Sequence, residues 1–241
     1  MSRVGNDLVV DDDEVLEEQR RYYRAHAPGY DDWWQHRGRY DRGDADAIVE
    51  WDRQVAVGDT ALTLFDPRGD VLELAGGTGW WTQRLARVAQ HLTVVDAAPE
   101  TIALNRDRVR RPDVDYVVAD LFDWSPERKF DVVFFSFWLS HVPRSRFTAF
   151  WSLARSCLTP AGRVFLIDNR ADPTPQPDVK DPYVANYLPD LHVRRLDDGS
   201  EYRIVKVMYE PDELASLIET EGWQTNLHAT RWFIFGSARP Q

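Results

Sequence analysis

One segment constrains this chain more than any other: Val71-Leu72-Glu73-Leu74-Ala75-Gly76-Gly77-Thr78-Gly79. Val71–Ala75 reads as a buried strand. Three glycines follow within four positions, and Trp81–Ala89 then carries apolar residues at helical spacing. Glycine lets the backbone turn tightly and come close to a ligand. The helix behind such a turn offers unpaired N–H groups and the positive end of its dipole. A strand, a glycine turn and a helix in this order are the opening of a strand–helix–strand unit, and the rest of the chain repeats that alternation.

Leu92–Val95 reads as a strand ending at Asp96, and Pro99–Arg110 as a helix opened by its proline. Val114–Ala119 is a strand ending at Asp120. Phe130–Phe135 is apolar but for Asp131, as suits a central parallel strand. Pro143–Cys157 is a helix stopped by Pro160-Ala161-Gly162, and Val164–Ile167 a strand ending at Asp168. Such alternation predicts an α/β fold, a parallel sheet with helices on both faces. Ahead of it, the acidic lead through Asp11-Asp12-Asp13 reads as disordered. Glu14–Arg24, Asp31–Arg37 and Ala45–Phe65 read as helices. Behind it, Ala171–Pro189 is a Pro- and Asp-rich insertion or lid. Asp198-Gly199 marks a hairpin between Leu191–Leu196 and Tyr202–Val207. A helix over Pro211–Glu221 and strands over Trp223–Ala229 and Arg231–Ser237 close the chain. The expected division is a helical cover over residues 1–66 and an α/β domain over 67–241, with the insertion at 171–207.

Three successive strands place Glu73, Asp96 and Asp120 along the carboxyl edge of the sheet, where open α/β sheets bind ligands. Asp96 can accept hydrogen bonds from both hydroxyls of a ribose. A dinucleotide fingerprint counted from Gly77 needs a third glycine where this chain has Thr82. An acid ahead of the glycines suits a ligand with a positive amino group better than a pyrophosphate.

In these residues the chain resembles the class I S-adenosylmethionine-dependent methyltransferases. Glu73, Ala75, Gly77 and Gly79 match the family's acid-x-Gly-x-Gly-x-Gly motif, with Ala at one glycine position. Asp96 matches the acid that holds the ribose. Asp120-Leu121-Phe122 matches the segment around the adenine, Phe130–Phe135 the fourth motif, and Leu158–Gly162 the turn before the fifth strand. The resemblance covers Val71–Asp168. It implies a Rossmann-like, seven-stranded, mostly parallel sheet with its last strand antiparallel, and S-adenosylmethionine as cofactor. The implied cofactor contacts are Glu73, Ala75, Gly76, Gly77 and Thr78 at the glycine turn. Asp96, Ala97, Asp120, Leu121, Phe122 and Ser136 join them at the later strand ends. Tyr22-Tyr23, Ala27, Tyr30 and Asp31 resemble the cover segment of the quinone-methylating branch, which adds Tyr22 and Tyr30.

His141 follows the fourth strand. Methyl transfer to a hydroxyl or amine requires loss of the acceptor's proton, and histidine titrates near neutrality, so His141 is the candidate general base. The bland alternative is a hydrogen-bonded loop histidine. Trp33, Trp34, Trp138 and Asn169 are the candidate acceptor contacts. Ten tryptophans exceed what a core of this size needs. Trp51, Trp151 and Trp223 sit in element patterns and suit the core, whereas Trp80 and Trp81 follow the glycine turn. Asp168-Asn169 occupies the place of a magnesium-binding pair in catechol-type relatives. The fourth strand here ends at Ser136 without an acid, and oxygen-ligand metals need several carboxylates, so no metal is expected.

The 241 residues carry 40 acidic against 29 basic side chains, a net charge of −11. That excludes a general nucleic-acid binder and an anionic membrane surface as partners. The run Arg106, Arg108, Arg110, Arg111 reads as a solvated helix face. The single cysteine, Cys157, excludes a disulfide framework, and Met1–Asp13 shows no signal peptide, so the expected compartment is the cytoplasm. The expected activity is methyl transfer to a small aromatic or apolar acceptor. A nicotinamide-dependent reductase, a non-catalytic cofactor-binding partner protein and, more weakly, an RNA-modifying enzyme are the alternatives. A homodimer is one arrangement the sequence leaves open.

Overall fold

A computed structural model describes residues 11–41, 45–170 and 184–241. The acidic lead before Asp11 and most of the Ala171–Pro189 insertion lie outside the described residues. Strands β1 (Asp70–Leu74), β2 (His91–Asp96), β3 (Val114–Val118), β4 (Phe130–Ser136) and β5 (Leu158–Asn169) are parallel. They join β9 (Trp223–Ala229) and β10 (Phe233–Pro240) in one seven-stranded sheet, ordered β3-β2-β1-β4-β5-β10-β9. β10 runs antiparallel to both its neighbours. This is the expected architecture, down to the reversed last strand.

The sheet works because its central strands are apolar on both faces. Side chains alternate along each strand. Leu72, Leu74, Val133, Phe135, Val164 and Leu166 join one core with α5 (Phe147–Cys157) and α6 (Pro211–Thr220). Val71, Val132, Phe134, Phe165 and Ile167 join the other core, with α2 (Ala45–Phe65), α3 (Thr82–Leu85) and α4 (Pro99–Val109). The first helix, α1 (Asp12–His26), lies along a second, three-stranded sheet of β6 (Val184–Leu188), β7 (Leu191–Arg195) and β8 (Glu201–Val205). The expected hairpin is the β7–β8 pair.

Several local expectations are corrected. Trp81–Ala89 holds only one α-helical turn, after which the chain tightens into i→i−3 bonds at Arg87 and Val88. Asp31–Arg37 is not a helix; Ala27–Asp32 forms a tight 3₁₀ turn opened by Pro28, and His36 takes a positive φ. α5 begins at Phe147, after a single turn at Arg144–Arg146. Pro160-Ala161-Gly162 turns within the range of β5: its pairing with β4 passes from Phe130–Leu158 to Val132–Arg163, and Gly162 comes back against Leu158. Residues 184–188 of the expected insertion form β6.

Candidate active site

The carboxyl ends of β1, β2, β3 and β4 open onto one cavity. Ala75 and Gly77 form its floor with Asp96, Ala97, Ala98 and Thr101. Asp120, Leu121 and Phe122 form one wall, and Ser136, Phe137, Trp138 and His141 another. Leu16, Gln19, Arg20 and Tyr23 of α1 roof it, with Tyr30.

The glycine loop takes left-handed conformations at Ala75, Gly77 and Gly79 (φ +53°, +52° and +88°). A side chain on Gly77 would meet nothing within 4 Å, so bare backbone faces the cavity there. Ala75 holds a conformation that costs a residue with a Cβ about 1–2 kcal/mol, a strain stored at the site. Asn105 of α4, fully buried, pins the loop from behind. Its Nδ2 donates to Gly77 O (3.2 Å), Gly76 O (3.3 Å) and Thr82 Oγ1 (2.8 Å), and its Oδ1 accepts from the Tyr116 hydroxyl (3.0 Å). Glu73, 1% exposed, lies beneath the loop, and its Oε2 has no hydrogen-bond partner. Burial pushes its carboxyl up to about 8.

Asp96 ends β2 with its carboxylate held in place. Oδ2 accepts from Gly77 N–H (2.8 Å), and Oδ1 accepts from Ala98 N–H and the Thr101 hydroxyl (both 2.9 Å). A carboxylate has about four lone-pair sites, so acceptor capacity is left toward the cavity. Desolvation raises its pKa. Asp120 accepts from Phe122 N–H (2.9 Å), and its other oxygen pairs with Arg20. Asp31 accepts from the Thr78 hydroxyl (2.7 Å) and pairs with Arg108, tying the N-terminal segment to the glycine loop and α4.

His141 is 6% exposed. Its Nδ1 lies 2.7 Å from the carbonyl oxygen of Val205, which can only accept, so Nδ1 carries the proton. Nε2 is then an acceptor and takes the Tyr23 hydroxyl at 2.9 Å. Burial above all, then Lys206, Arg194 and His192, holds this imidazole well below the usual histidine range. Gln19 braces the pair, donating to His141 O (3.2 Å) and accepting from Val205 N–H (3.0 Å).

The cavity thus brings together Tyr30, Ala75, Gly77, Asp96, Ala97, Asp120, Leu121, Phe122, Ser136, Trp138 and His141. Glu73, Gly76 and Thr78 are not in its wall; they support it from behind. Tyr22, Trp33, Trp34 and Asn169 lie elsewhere. Tyr22 is 2% exposed and packs with Leu196, Ile204 and Tyr202. Residues 16, 19, 20 and 23 share one helical face, and Tyr22 points about 100° away from Tyr23. Trp34 stacks on Trp80 (4.9 Å between rings, 4° apart), and Trp33 packs edge-on against Trp34, Trp51 and Phe137. Both belong to the core shared with α2. Asn169 pairs with Phe233 of β10, away from the cavity, beside an Asp168 that accepts from Ser140 and Asn169 N–H groups. Leu16, Gln19, Arg20, Tyr23, Ala98, Thr101, Phe137 and Asn105 were not expected from sequence. The i, i+3, i+4, i+7 spacing of the first four was the available signal.

Among the described residues, no cluster of His, Cys, Asp and Glu is arranged to hold a metal, and no helix is long and apolar enough to cross a membrane.

A family model described as a methyltransferase domain matches residues 71–162. Nodulation protein S of Rhizobium tropici is 37% identical over 68 residues, 28% of this chain and 29% of that protein. The ubiquinone biosynthesis O-methyltransferase of Xanthomonas euvesicatoria pv. vesicatoria (strain 85-10) is 30% identical over 169 residues, 68% of this chain and 66% of that protein. The chain therefore spans less than two thirds of these curated relatives. A solved structure of DhpI with SAH is 34% identical, covers 95% of this chain and 98% of its own, and superposes with a TM-score of 0.77. DhpI with SAM and HEP is 33% identical and superposes at 0.78. With a relative this similar over nearly its whole length, and the glycine loop and strand-end acids in place, the chain belongs to the class I S-adenosylmethionine-dependent methyltransferase family, in its small-molecule branch.

Proposed function

We propose that this protein transfers a methyl group from S-adenosylmethionine to a small acceptor with an aromatic or apolar body. The observation that carries the reading is the single cavity where the bare backbone of Gly77 meets Asp96 and Asp120. Gly77 and its neighbours would hold the methionyl part, over the unpartnered Glu73 oxygen. Asp96 would take the ribose, and Asp120 with Leu121 and Phe122 the adenine. When bound, the cofactor supplies a methyl carbon on a sulfonium, open to in-line displacement by a nucleophile. The protein's part is orientation and a dry wall. Leu16, Phe122, Phe137 and Trp138 supply apolar surface, and α1 closes over it. Charge is neutralised as nucleophile meets sulfonium, so excluding water favours transfer.

Residues 1–66 would serve as the cover and 67–241 as the catalytic domain, working in the cytoplasm. Calorimetry with S-adenosylhomocysteine is the first test. Uptake is expected, with NADH giving none, and Asp96→Ala should weaken it by about 1–3 kcal/mol. A wild-type protein that takes up no S-adenosylhomocysteine sinks the proposal. An extract screen with isotopically labelled methyl donor then identifies the acceptor.

A further inference from the structure

Tyr23 is the group at the cavity roof whose hydrogen-bonding state is settled by its surroundings. The Val205 carbonyl obliges His141 Nδ1 to carry the proton, and Nε2 therefore accepts. The Tyr23 hydroxyl spends its one hydrogen on that nitrogen, at 2.9 Å. What remains on the phenol oxygen is acceptor capacity only. Both Tyr23 and His141 line the cavity, next to Trp138 and Tyr30. Gln19 ties together the His141 and Val205 backbones that carry the pair, and the phenol is fixed by its bond to Nε2.

We propose that Tyr23 is the catalytic residue that receives the acceptor's O–H or N–H, that His141 is the positioning residue that fixes it, and that the acceptor is therefore a hydroxyl or amine still carrying a hydrogen. This rests on the methyl-transfer reading above. At transfer the acceptor's lone pair forms the bond to the methyl carbon, and the carbon–sulfur electron pair stays with sulfur. The acceptor's proton passes to the Tyr23 oxygen, and the Tyr23 proton to His141 Nε2. His141 is a weak base here, since burial and the charges of Lys206 and Arg194, with His192 beside them, all disfavour its imidazolium. That weakness is tolerable, because an alkylated hydroxyl or amine that still holds its proton becomes far more acidic as the new bond forms. A direct base role for His141 would require a free Nε2, and the Tyr23 hydroxyl occupies it.

The test uses the full chain with 15N-labelled histidine, saturated with S-adenosylhomocysteine. Nitrogen NMR should show His141 protonated at Nδ1 and bare at Nε2, with no titration between pH 8 and about 6.5, the ordinary histidine value. Tyr23→Phe should move the Nε2 resonance. A proton on Nε2, or an ordinary titration, overturns the proposal. In the labelled-methyl extract assay, Tyr23→Phe should lose about 100-fold in transfer while keeping S-adenosylhomocysteine affinity within about twofold. His141→Gln, whose amide can hold the Tyr23 hydroxyl but cannot take its proton, should lose about as much transfer as Tyr23→Phe with S-adenosylhomocysteine affinity kept, and transfer at the wild-type rate overturns the relay. Transfer by Tyr23→Phe at the wild-type rate refutes Tyr23's role, and a product methylated on carbon refutes the donor requirement. Failure of the wild type itself to bind S-adenosylhomocysteine, or to label anything, counts instead against the methyl-transfer reading.

Discussion

Asn105→Ala tests whether the glycine loop is held by α4 or by its own backbone. Asn105 is fully buried, and its amide reaches the carbonyls of Gly76 and Gly77 and the Thr82 hydroxyl, while its oxygen takes the Tyr116 hydroxyl. Alanine strands the Gly77 carbonyl and the inner end of the Tyr116 hydroxyl, while Gly76 O keeps the Gly79 N–H and the Thr82 hydroxyl keeps Glu73. A stranded buried polar group costs about 1–3 kcal/mol. The two carbonyl bonds are long, at 3.2 and 3.3 Å, which places them at the low end. The expected loss is about 1–3 kcal/mol in urea unfolding at constant m. The loop also loses the clamp that presents Gly77 to the cavity. S-adenosylhomocysteine affinity should then fall about tenfold, or about 1.4 kcal/mol, in calorimetry. Tyr116→Phe is the control. It removes only the outer, partly exposed bond, so it should cost under about 1 kcal/mol and leave affinity alone. A loss below about 1 kcal/mol for Asn105→Ala, with affinity unchanged, would refute the clamp.

Glu73 links stability to pH. Its folded value of about 8 stands above the ordinary 4.5, so its contribution is complete below pH 4.5 and is lost as pH rises through about 8. Wild type should therefore weaken relative to Glu73→Gln between pH 5 and 8, by at most about 1.4 kcal/mol per pH unit, and parallel urea midpoints would contradict this. Gly77→Ala meets no neighbour but keeps a positive φ, so it should cost about 1–2 kcal/mol in stability and also weaken S-adenosylhomocysteine by placing a methyl in the cavity. Trp34→Ala should lose about 3–5 kcal/mol of stability with no change in cofactor affinity of the folded protein; a selective loss of affinity would return Trp34 to the site.

The fold was legible because its determinants are local and periodic. Largely apolar runs, broken by Glu73 in β1 and Asp131 in β4, marked both as central strands, and prolines and glycines set most of the boundaries. The strand-end acids were readable for the same reason: in a parallel sheet a residue's place at a strand's end is its place at the cavity. The glycine spacing near Gly77 carried the backbone geometry with it, since only φ above zero turns the chain there. Boundaries failed where apolar spacing was the sole signal, as at Trp81–Ala89, which holds a single α-helical turn at Thr82–Leu85.

What approaches the cavity from far along the chain had to await the tertiary structure. Tyr22 and Tyr23 are adjacent in sequence, yet the rotation of α1 about its axis sends one against Tyr202 and the other to His141. The pairs Arg20–Asp120 and His141–Val205 join residues 100 and 64 positions apart. The Trp pair at 33 and 34 went to the core, where Trp51 of α2 packs against Trp33 and Trp80 stacks on Trp34. Sequence pattern records which face of an element is apolar and where a chain must turn. It does not record how one helix is rotated against another; here that rotation selects Tyr23, while β8 brings up the Val205 carbonyl that settles which nitrogen of His141 carries the proton.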